Sequence, residues 1–377
     1  MSSDWSGCKK ILCIRPDNMG DLIMSSPALR ALKKTFGCSI TVLTSSMASG
    51  IATYLDEVDE VITVDLPWVK NNTDFNAASF SEITEEIRMM RFDAAVIFTV
   101  YSQNSLPSAM IAFMAGIPLR LAYCRENPYA LLTNWFPDKE PYTIIRHQVQ
   151  RDLELVAMVG AVTDDNKLKL KVDESKWVTL QHKIQCLGVD TSKPWMILHP
   201  GVSEIKREFP ASQWIEIAKK IVKDLGCQVL FTGGSNEIIL VTGLVTQSGS
   251  GAYSLAGILS LEEFILLIKR SPLVLSVNTA TIHIAAATST PVIVLYALTN
   301  PQHTPWKATG KVFPYKVKTN LQSSNEVISY VNKTMEEYKI EDINLKEILS
   351  AVGELLSASY NADGFVIPEL IQLPVYG

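Results

Sequence analysis

The stretch Leu273–Tyr296, LVLSVNTATIHIAAATSTPVIVLY, decides the fold of this chain. An apolar run, LVLSV, meets a polar turn. A short Ala-rich segment carrying one histidine follows, then Pro291 and a second apolar run. Strand, turn, helix and strand in succession read as a crossover unit, the connection that joins parallel strands. In the turn, Asn278, Thr279 and Thr281 surround the point where the helix begins. A helix start presents unpaired backbone N–H groups and partial positive charge, so it can seat a phosphate, and hydroxyls there add donors. The same residue types cap helices that bind nothing, and from these residues alone both readings stand.

Outward from this stretch the pattern repeats. Short β-branched runs alternate with amphipathic segments along the whole chain, the signature of parallel sheets with crossover helices. In the first half the runs are Lys10–Ile14, Ser39–Leu43, Glu60–Val64 and Ala94–Phe98, with helices expected at Ser26–Thr35 and Ser81–Met90. In the second half they are Trp195–Leu198, Gln228–Phe231, Leu273–Val277 and Pro291–Leu295. Helices are expected there at Ala211–Asp224, Leu261–Lys269 and Thr279–Thr288. Each half reads as a doubly wound α/β domain: 1–170, then 171–340, joined in the charged stretch after a helix around His147–Gly160. Residues 341–377 are expected to form a helix and tail that pack back on the first domain. Ligands of open α/β sheets bind beyond the carboxyl ends of the strands. The two domains are therefore expected to face a central cleft, with the loops after KILCI, ILHP, LFTGG and LVLSV converging there.

Composition narrows the function classes. With 377 residues, 47% hydrophobic and 19% charged, the chain suits two packed domains and not a disordered segment. A net charge of −5 argues against nucleic acid as a bulk electrostatic partner. Six scattered cysteines without a CxxC pair indicate neither a disulfide framework nor a zinc site, but a reducing compartment. No apolar run approaches the roughly 20 residues that span a bilayer, and no signal-peptide pattern leads the chain. The expectation is a cytoplasmic protein, with contact at the inner face of the membrane left open.

The loops carry the chemistry. After the first run comes Arg15-Pro16-Asp17-Asn18-Met19-Gly20-Asp21, without the GxGxxG of a dinucleotide site. Gly20 permits a tight turn or close approach of a ligand. Asp21 is either a helix-start carboxylate or a general base for an attacking hydroxyl. After ILHP the loop Gly201–Arg207 offers Gly201 and Ser203 for wrapping a phosphate and Lys206 or Arg207 for neutralising it. Gly233 and Gly234 suit close approach of a nucleotide. His283 lies one turn into the decisive helix. No cluster shows metal-ligand spacing.

RPDNMGDLIMSSPALRALK (from Arg15), HQVQRDLELV (from His147), LHPGVSEIKREFP (from Leu198) and SVNTATIHIAAATSTPVIVLYALTNPQHTPW (from Ser276) resemble, in order and spacing, glycosyltransferase family nine, the bacterial heptosyltransferases. The resemblance runs from about Lys10 to Leu356. It implies a GT-B fold of two Rossmann-like domains, the first for the acceptor and the second for the sugar nucleotide. It also implies inverting, metal-independent transfer of heptose from an ADP-sugar to the lipopolysaccharide inner core, with no cofactor. In that pattern Asp21 falls at the catalytic base and Arg15 at a basic position of the same loop, with Asn18 beside it. Ser203 and Lys206 fall at phosphate contacts, Arg207 being able to exchange roles with Lys206, and Thr279 and His283 at the nucleotide-binding helix start.

Two departures stand out. Asn278-Thr279-Ala280 replaces the family's usual Asp-Thr-Gly, removing a negative charge and adding a methyl group beside the ligand. On the acceptor side, Arg120, Arg125, Arg146 and Arg151, with Tyr123, Tyr129 and Trp135, are expected to meet an anionic, lipid-linked glycan. Other readings are a transferase with a different nucleotide sugar or with a protein or small-molecule acceptor, and a degenerate sugar-nucleotide-binding protein.

Overall fold

The computed structural model describes residues 4–69, 75–202, 204–315, 325–336 and 343–359. They fall into two compact units that part between Lys169 and Leu170.

The first unit is built on six parallel strands: β1 (Lys10–Ile14), β2 (Ser39–Thr44), β3 (Glu60–Thr63), β4 (Ala94–Ile97), β5 (Leu119–Cys124) and β6 (Asn134–Pro137), in the order β3-β2-β1-β4-β5-β6. The second repeats that order with β7 (Trp195–His199), β8 (Gln228–Phe231), β9 (Ala252–Ser254), β10 (Val274–Val277), β11 (Val292–Ala297) and β12 (Gly310–Tyr315), arranged β12-β11-β10-β7-β8-β9. In both, the direction of winding reverses beside the first strand, between β1 and β4 and between β7 and β10. That reversal opens a crevice at the carboxyl ends, which is where doubly wound sheets hold ligands.

The central strands are mostly apolar because helices cover both faces of each sheet. Ile11 to Ile14 and Val292 to Ala297 are buried without a break. The helix Ala211–Leu225 shows the complementary pattern: Trp214, Ile217, Ala218 and Ile221 lie at one-turn spacing and enter the core. Gly226 ends that helix in the left-handed conformation, which costs glycine nothing.

Three features differ from the sequence expectation. β5, β6, β9 and β12 lie outside the expected runs. β6 and β12 are edge strands containing Pro137 and Pro314, tolerated there because an edge leaves backbone N–H groups unpaired. The helix expected from Ser26 begins at Met19 and runs to Phe36, straight through Pro27. Pro27 has no N–H for the carbonyl of Ile23, and Ser26 Oγ donates to that carbonyl instead, at 2.8 Å. The last described helix, Leu345–Ser359, packs within the second unit. Ile348, Ala351, Val352, Leu355 and Leu356 complete the core of the second, against the helix Ala211–Leu225 and strands β11 and β12. Residues 360–377 lie outside the described residues, as does most of the stretch between β12 and that helix.

Candidate functional site

At the winding reversal of the first unit the chain leaves β1 and enters the helix Met19–Phe36. Asp21 sits in its first turn, 6% exposed. Its Oδ2 accepts from the backbone N–H of Asn18 at 3.1 Å, and its Oδ1 accepts from Arg15 Nη2 at 3.2 Å. A carboxylate there is favoured by the helix start and by the guanidinium. Asn18, half-buried, is the residue before the helix; Gly20 is helical and buried, so the tight turn expected at Gly20 is absent.

Arg15 does not line the loop as an open cation. It is 1% exposed, with Asp17 Oδ2 at 3.2 Å from its Nε and Asp21 Oδ1 at 3.2 Å from Nη2 of the same edge. Burial opposes its charge, but Asp17, Asp152 and Asp21 outweigh that and hold it protonated. Behind it, Asp152 accepts from Ser25 Oγ and Gln148 Nε2, each at 2.7 Å. Burial, opposed by Arg15, raises the proton affinity of Asp152 above the usual carboxylate range.

The acceptor role expected for Arg120 and Arg151 is corrected by where their donors go. Arg120 is spent on the backbone carbonyls of Leu131, Ala130, Ile117 and Pro118, clamping the segments before and after β5 to that strand. Arg151 is fully buried. It donates to both oxygens of Asp138, at 2.9 and 3.0 Å, and to Thr99 O at 3.0 Å, with its guanidinium 4.2 Å from the ring centroid of Tyr123. Trp135 and Tyr129 are exposed, at 37% and 82%.

At the reversal of the second unit three loops meet. His199, at the end of β7, pairs through Nδ1 with Thr232 Oγ1 at 2.9 Å, and burial pushes its imidazole down to about 4. Arg207 reaches from the β7 loop to the end of β10: Nη1 donates to Asn278 O at 3.3 Å and Nη2 to Glu204 Oε1 at 3.3 Å, while Nε has no hydrogen-bond partner. Tyr315 Oη donates to the Arg207 carbonyl at 2.5 Å and ties β12 to the same loop. Ser203 lies outside the described residues, and so does the side chain of Lys206.

The turn after β10 behaves differently from its sequence reading. Asn278 does not cap the helix Ala280–Ala287. Its amide spans the end of β11 instead, donating to Ala297 O at 3.2 Å and accepting from Ala297 N at 3.1 Å. Thr279 is the residue before the helix, and its Oγ1 is buried without a hydrogen-bond partner. Ala280 is the first helical residue. His283 is 4% exposed, its ring centroid 6.4 Å from that of His303.

Glu237 is a group the sequence reading passed over. Its Oε2 accepts from Gly234 N at 2.7 Å, and a methyl group at Gly201 or Gly233 would strike its carboxylate. The glycines at the ends of β7 and β8 make room for this side chain. A glutamate three residues after a glycine at a helix start was the available signal. Among the described residues no three His, Cys, Asp or Glu side chains cluster as metal ligands, and no helix is long and apolar enough to cross a membrane.

Comparison with known proteins gives these sites a setting. The family model described as glycosyltransferase family 9 (heptosyltransferase) matches residues 81–340. Lipopolysaccharide heptosyltransferase 2 of Escherichia coli (strain K12) is 26% identical over 317 residues, 78% of this chain and 85% of the relative. A glycosyl transferase family 9 structure from Veillonella parvula DSM 2008 superposes with a TM-score of 0.73 at 18% identity, covering 95% of this chain and 99% of that one. The E. coli ADP-heptose lps heptosyltransferase II structure does so with 0.70 at 22% identity, covering 93% and 99%.

Proposed function

The chain belongs to glycosyltransferase family 9, and we propose that it moves a heptose or related sugar from an ADP-sugar to a hydroxyl of a glycan, the lipopolysaccharide inner core being the acceptor class. Membership makes it a glycosyltransferase on two Rossmann-like sheets. The donor and acceptor are supported by the relatives, whose names state lipopolysaccharide and ADP-heptose. The family match begins at residue 81, so the role of Asp21 rests on its geometry and on the resemblance of its loop.

The observation that carries the mechanism is a carboxylate held in the first turn of a helix by one backbone N–H and one guanidinium. Asp21 takes the proton of the acceptor hydroxyl as its oxygen attacks the anomeric carbon. The bond from that carbon to the diphosphate oxygen breaks, its electrons stay on the phosphate, and ADP departs. Attack from the side opposite the leaving group inverts the carbon. In the second unit the start of the helix Ala280–Ala287, the Thr279 hydroxyl and the basic loop through Arg207 supply fixed donors for the charge growing on the diphosphate. Lys206 and Ser203 join them by resemblance. Such donors stabilise a leaving phosphate without a metal ion. Asn18 is the residue of the first loop left to touch the acceptor, since Arg15, Arg120 and Arg151 are engaged inside the first unit.

The test is incubation of the full chain with ADP-heptose and deacylated core oligosaccharide, with and without a chelator. The expected product carries one more heptose with inverted configuration, at an unchanged rate in chelator. Transfer only from UDP- or GDP-sugars overturns the donor, and no turnover with any core acceptor overturns the acceptor.

A further inference from the structure

A second carboxylate stands beside Asp21 and takes no part in the steps above. Asp17 is 5% exposed and shares the guanidinium of Arg15 with Asp21: Nε is 3.2 Å from Asp17 Oδ2, and Nη2 is 3.2 Å from Asp21 Oδ1. The loop is held so that this division persists. Arg15 N donates to Leu43 O at 2.9 Å, Thr44 Oγ1 donates to Arg15 O at 2.8 Å, and Ser45 Oγ donates to Asp17 O at 2.5 Å. From the loop after β4, Gln103 Nε2 donates to Asp17 Oδ1, and its own Oε1 accepts from Val100 N at 3.1 Å. The remaining charges facing the cluster come from the helix Gln148–Ala157: Asp152 acts on both Arg15 and Asp17, and Arg151 opposes Arg15.

We propose that Asp17 is a positioning residue for Asp21, acting through Arg15: by standing as an ion-pair partner at Nε it keeps Asp21, held at Nη2, from taking the Nε–Nη2 edge of the guanidinium with both oxygens. The inference rests on the reading of Asp21 as the base. A guanidinium paired by two parallel hydrogen bonds is the arrangement that most favours the ionised carboxylate, and so most weakens it as a proton acceptor. A neighbouring negative charge works the other way. Sharing Arg15 therefore leaves Asp21 ordered yet basic, and a base works best when its proton affinity approaches the operating pH. Asp17 carries the mark of this arrangement. Burial, opposed by Arg15 and reinforced by Asp21, pushes its carboxyl up to about 6.

The experiment records kcat and KM against pH for wild type, Asp17→Asn and Asp17→Glu. It also follows the aspartate carboxyl carbons by NMR in wild type and Asp21→Asn. Asp17→Asn is expected to move the acidic limb of kcat/KM down by roughly half to one pH unit. Its plateau kcat should fall a few-fold with KM for both substrates within about twofold, and Asp17→Glu should restore the limb. A fall in activity with the limb unmoved makes Asp17 a structural residue and overturns the proposal. Should Asp17→Asn fail to fold, the NMR arm decides. In Asp21→Asn the Asp17 step should drop from about 6 toward the ordinary carboxylate range, and a step that stays in place overturns the coupling. The two readings separate cleanly: Asp21→Asn with full transferase activity removes the base, while the carbon titration still judges the coupling.

Discussion

The two winding reversals share one topology and differ in what fills them. At the first, between β1 and β4, Arg15, Asp17, Asp21, Asp152 and Arg151 are all buried and held within a network of ion pairs and hydrogen bonds. At the second, between β7 and β10, the groups are Asn278, Thr279, Thr232, a neutral His199 and glycines, with the Glu237 carboxylate against Gly201 and Gly233 and Arg207 paired with Glu204. Buried polar atoms without a hydrogen-bond partner within the protein occur at both: Arg15 Nε and Nη1, Asp17 Oδ2 and Gln148 Oε1 at the first, Thr279 Oγ1 and Arg207 Nε at the second. A buried polar atom left unsatisfied costs stability and is kept where something else satisfies it. The same frame thus serves two tasks. On the proposed function, one end gathers carboxylates around buried guanidinium groups beside a proton acceptor, and the other sets a hydroxyl and Arg207 at a helix start for an anion.

The sharpest way to break this comparison is Asp21→Asn. Sugar transfer is expected to fall by about 10²–10⁴, with ADP affinity measured by calorimetry unchanged, because the second unit is untouched. A comparable loss of ADP binding would erase the division of labour.

Next comes Arg151→Met, which removes a buried guanidinium paired with Asp138 at 2.9 Å and Glu140 at 3.4 Å, while Arg125 stays 3.5 Å from Asp138 and Arg146 2.9 Å from Glu140. Removing one partner of a buried pair costs about 3 kcal/mol or more, so the unfolding midpoint should drop clearly. Wild-type stability would mean that Arg151 is not the keystone its partners indicate. The contrasting change, Arg207→Met, should leave stability nearly intact and weaken ADP binding instead.

Asp17 predicts a slope in stability against pH. Its folded carboxyl binds protons up to about 6, whereas the unfolded one releases them near 4. Between those values the native state holds more protons, so this group's contribution to stability falls as pH rises. Asp17→Asn should therefore gain on wild type between about pH 4 and 6, by roughly 1–3 kcal/mol, and run parallel above that. Denaturant titrations at several pH values read this directly; parallel curves throughout would show that Asp17 is not buried as a charge.

The smallest expected effect sharpens the second site. Thr279→Val keeps shape and removes a buried hydroxyl that the protein itself does not satisfy. Stability should change by less than about 0.5 kcal/mol, while ADP affinity should fall several-fold, about 1 kcal/mol. A loss of stability with unchanged affinity would make Thr279 an ordinary helix cap.

How much of this was legible in the sequence follows from range. Runs such as KILCI and VIVLY declare interior parallel strands by themselves, because a strand covered on both faces must be apolar at every position. The strand-end loops follow, since the doubly wound frame puts them there, and the quoted motifs were enough to suggest the family. β5 was hidden by Arg120 within LRLAYC, and β6 and β12 by their prolines. Pro27 reads as a helix start unless Ser26 is seen reaching back to Ile23.

Only the tertiary structure decided what each polar side chain does. Arg120, Arg151 and Arg207 are the same residue type in similarly mixed surroundings along the chain. One clamps carbonyls, one neutralises a buried carboxylate pair, and one bridges two strand ends. Asn278 looks like a cap and is a strand tie; Asp17 looks like a loop residue and shares a guanidinium with Asp21. The physical reason is that apolar burial is recorded in periodicity, a property of neighbours along the chain. The state of a charge depends on which atoms lie within about 3 Å of it, and those atoms come from residues up to a hundred and more positions away.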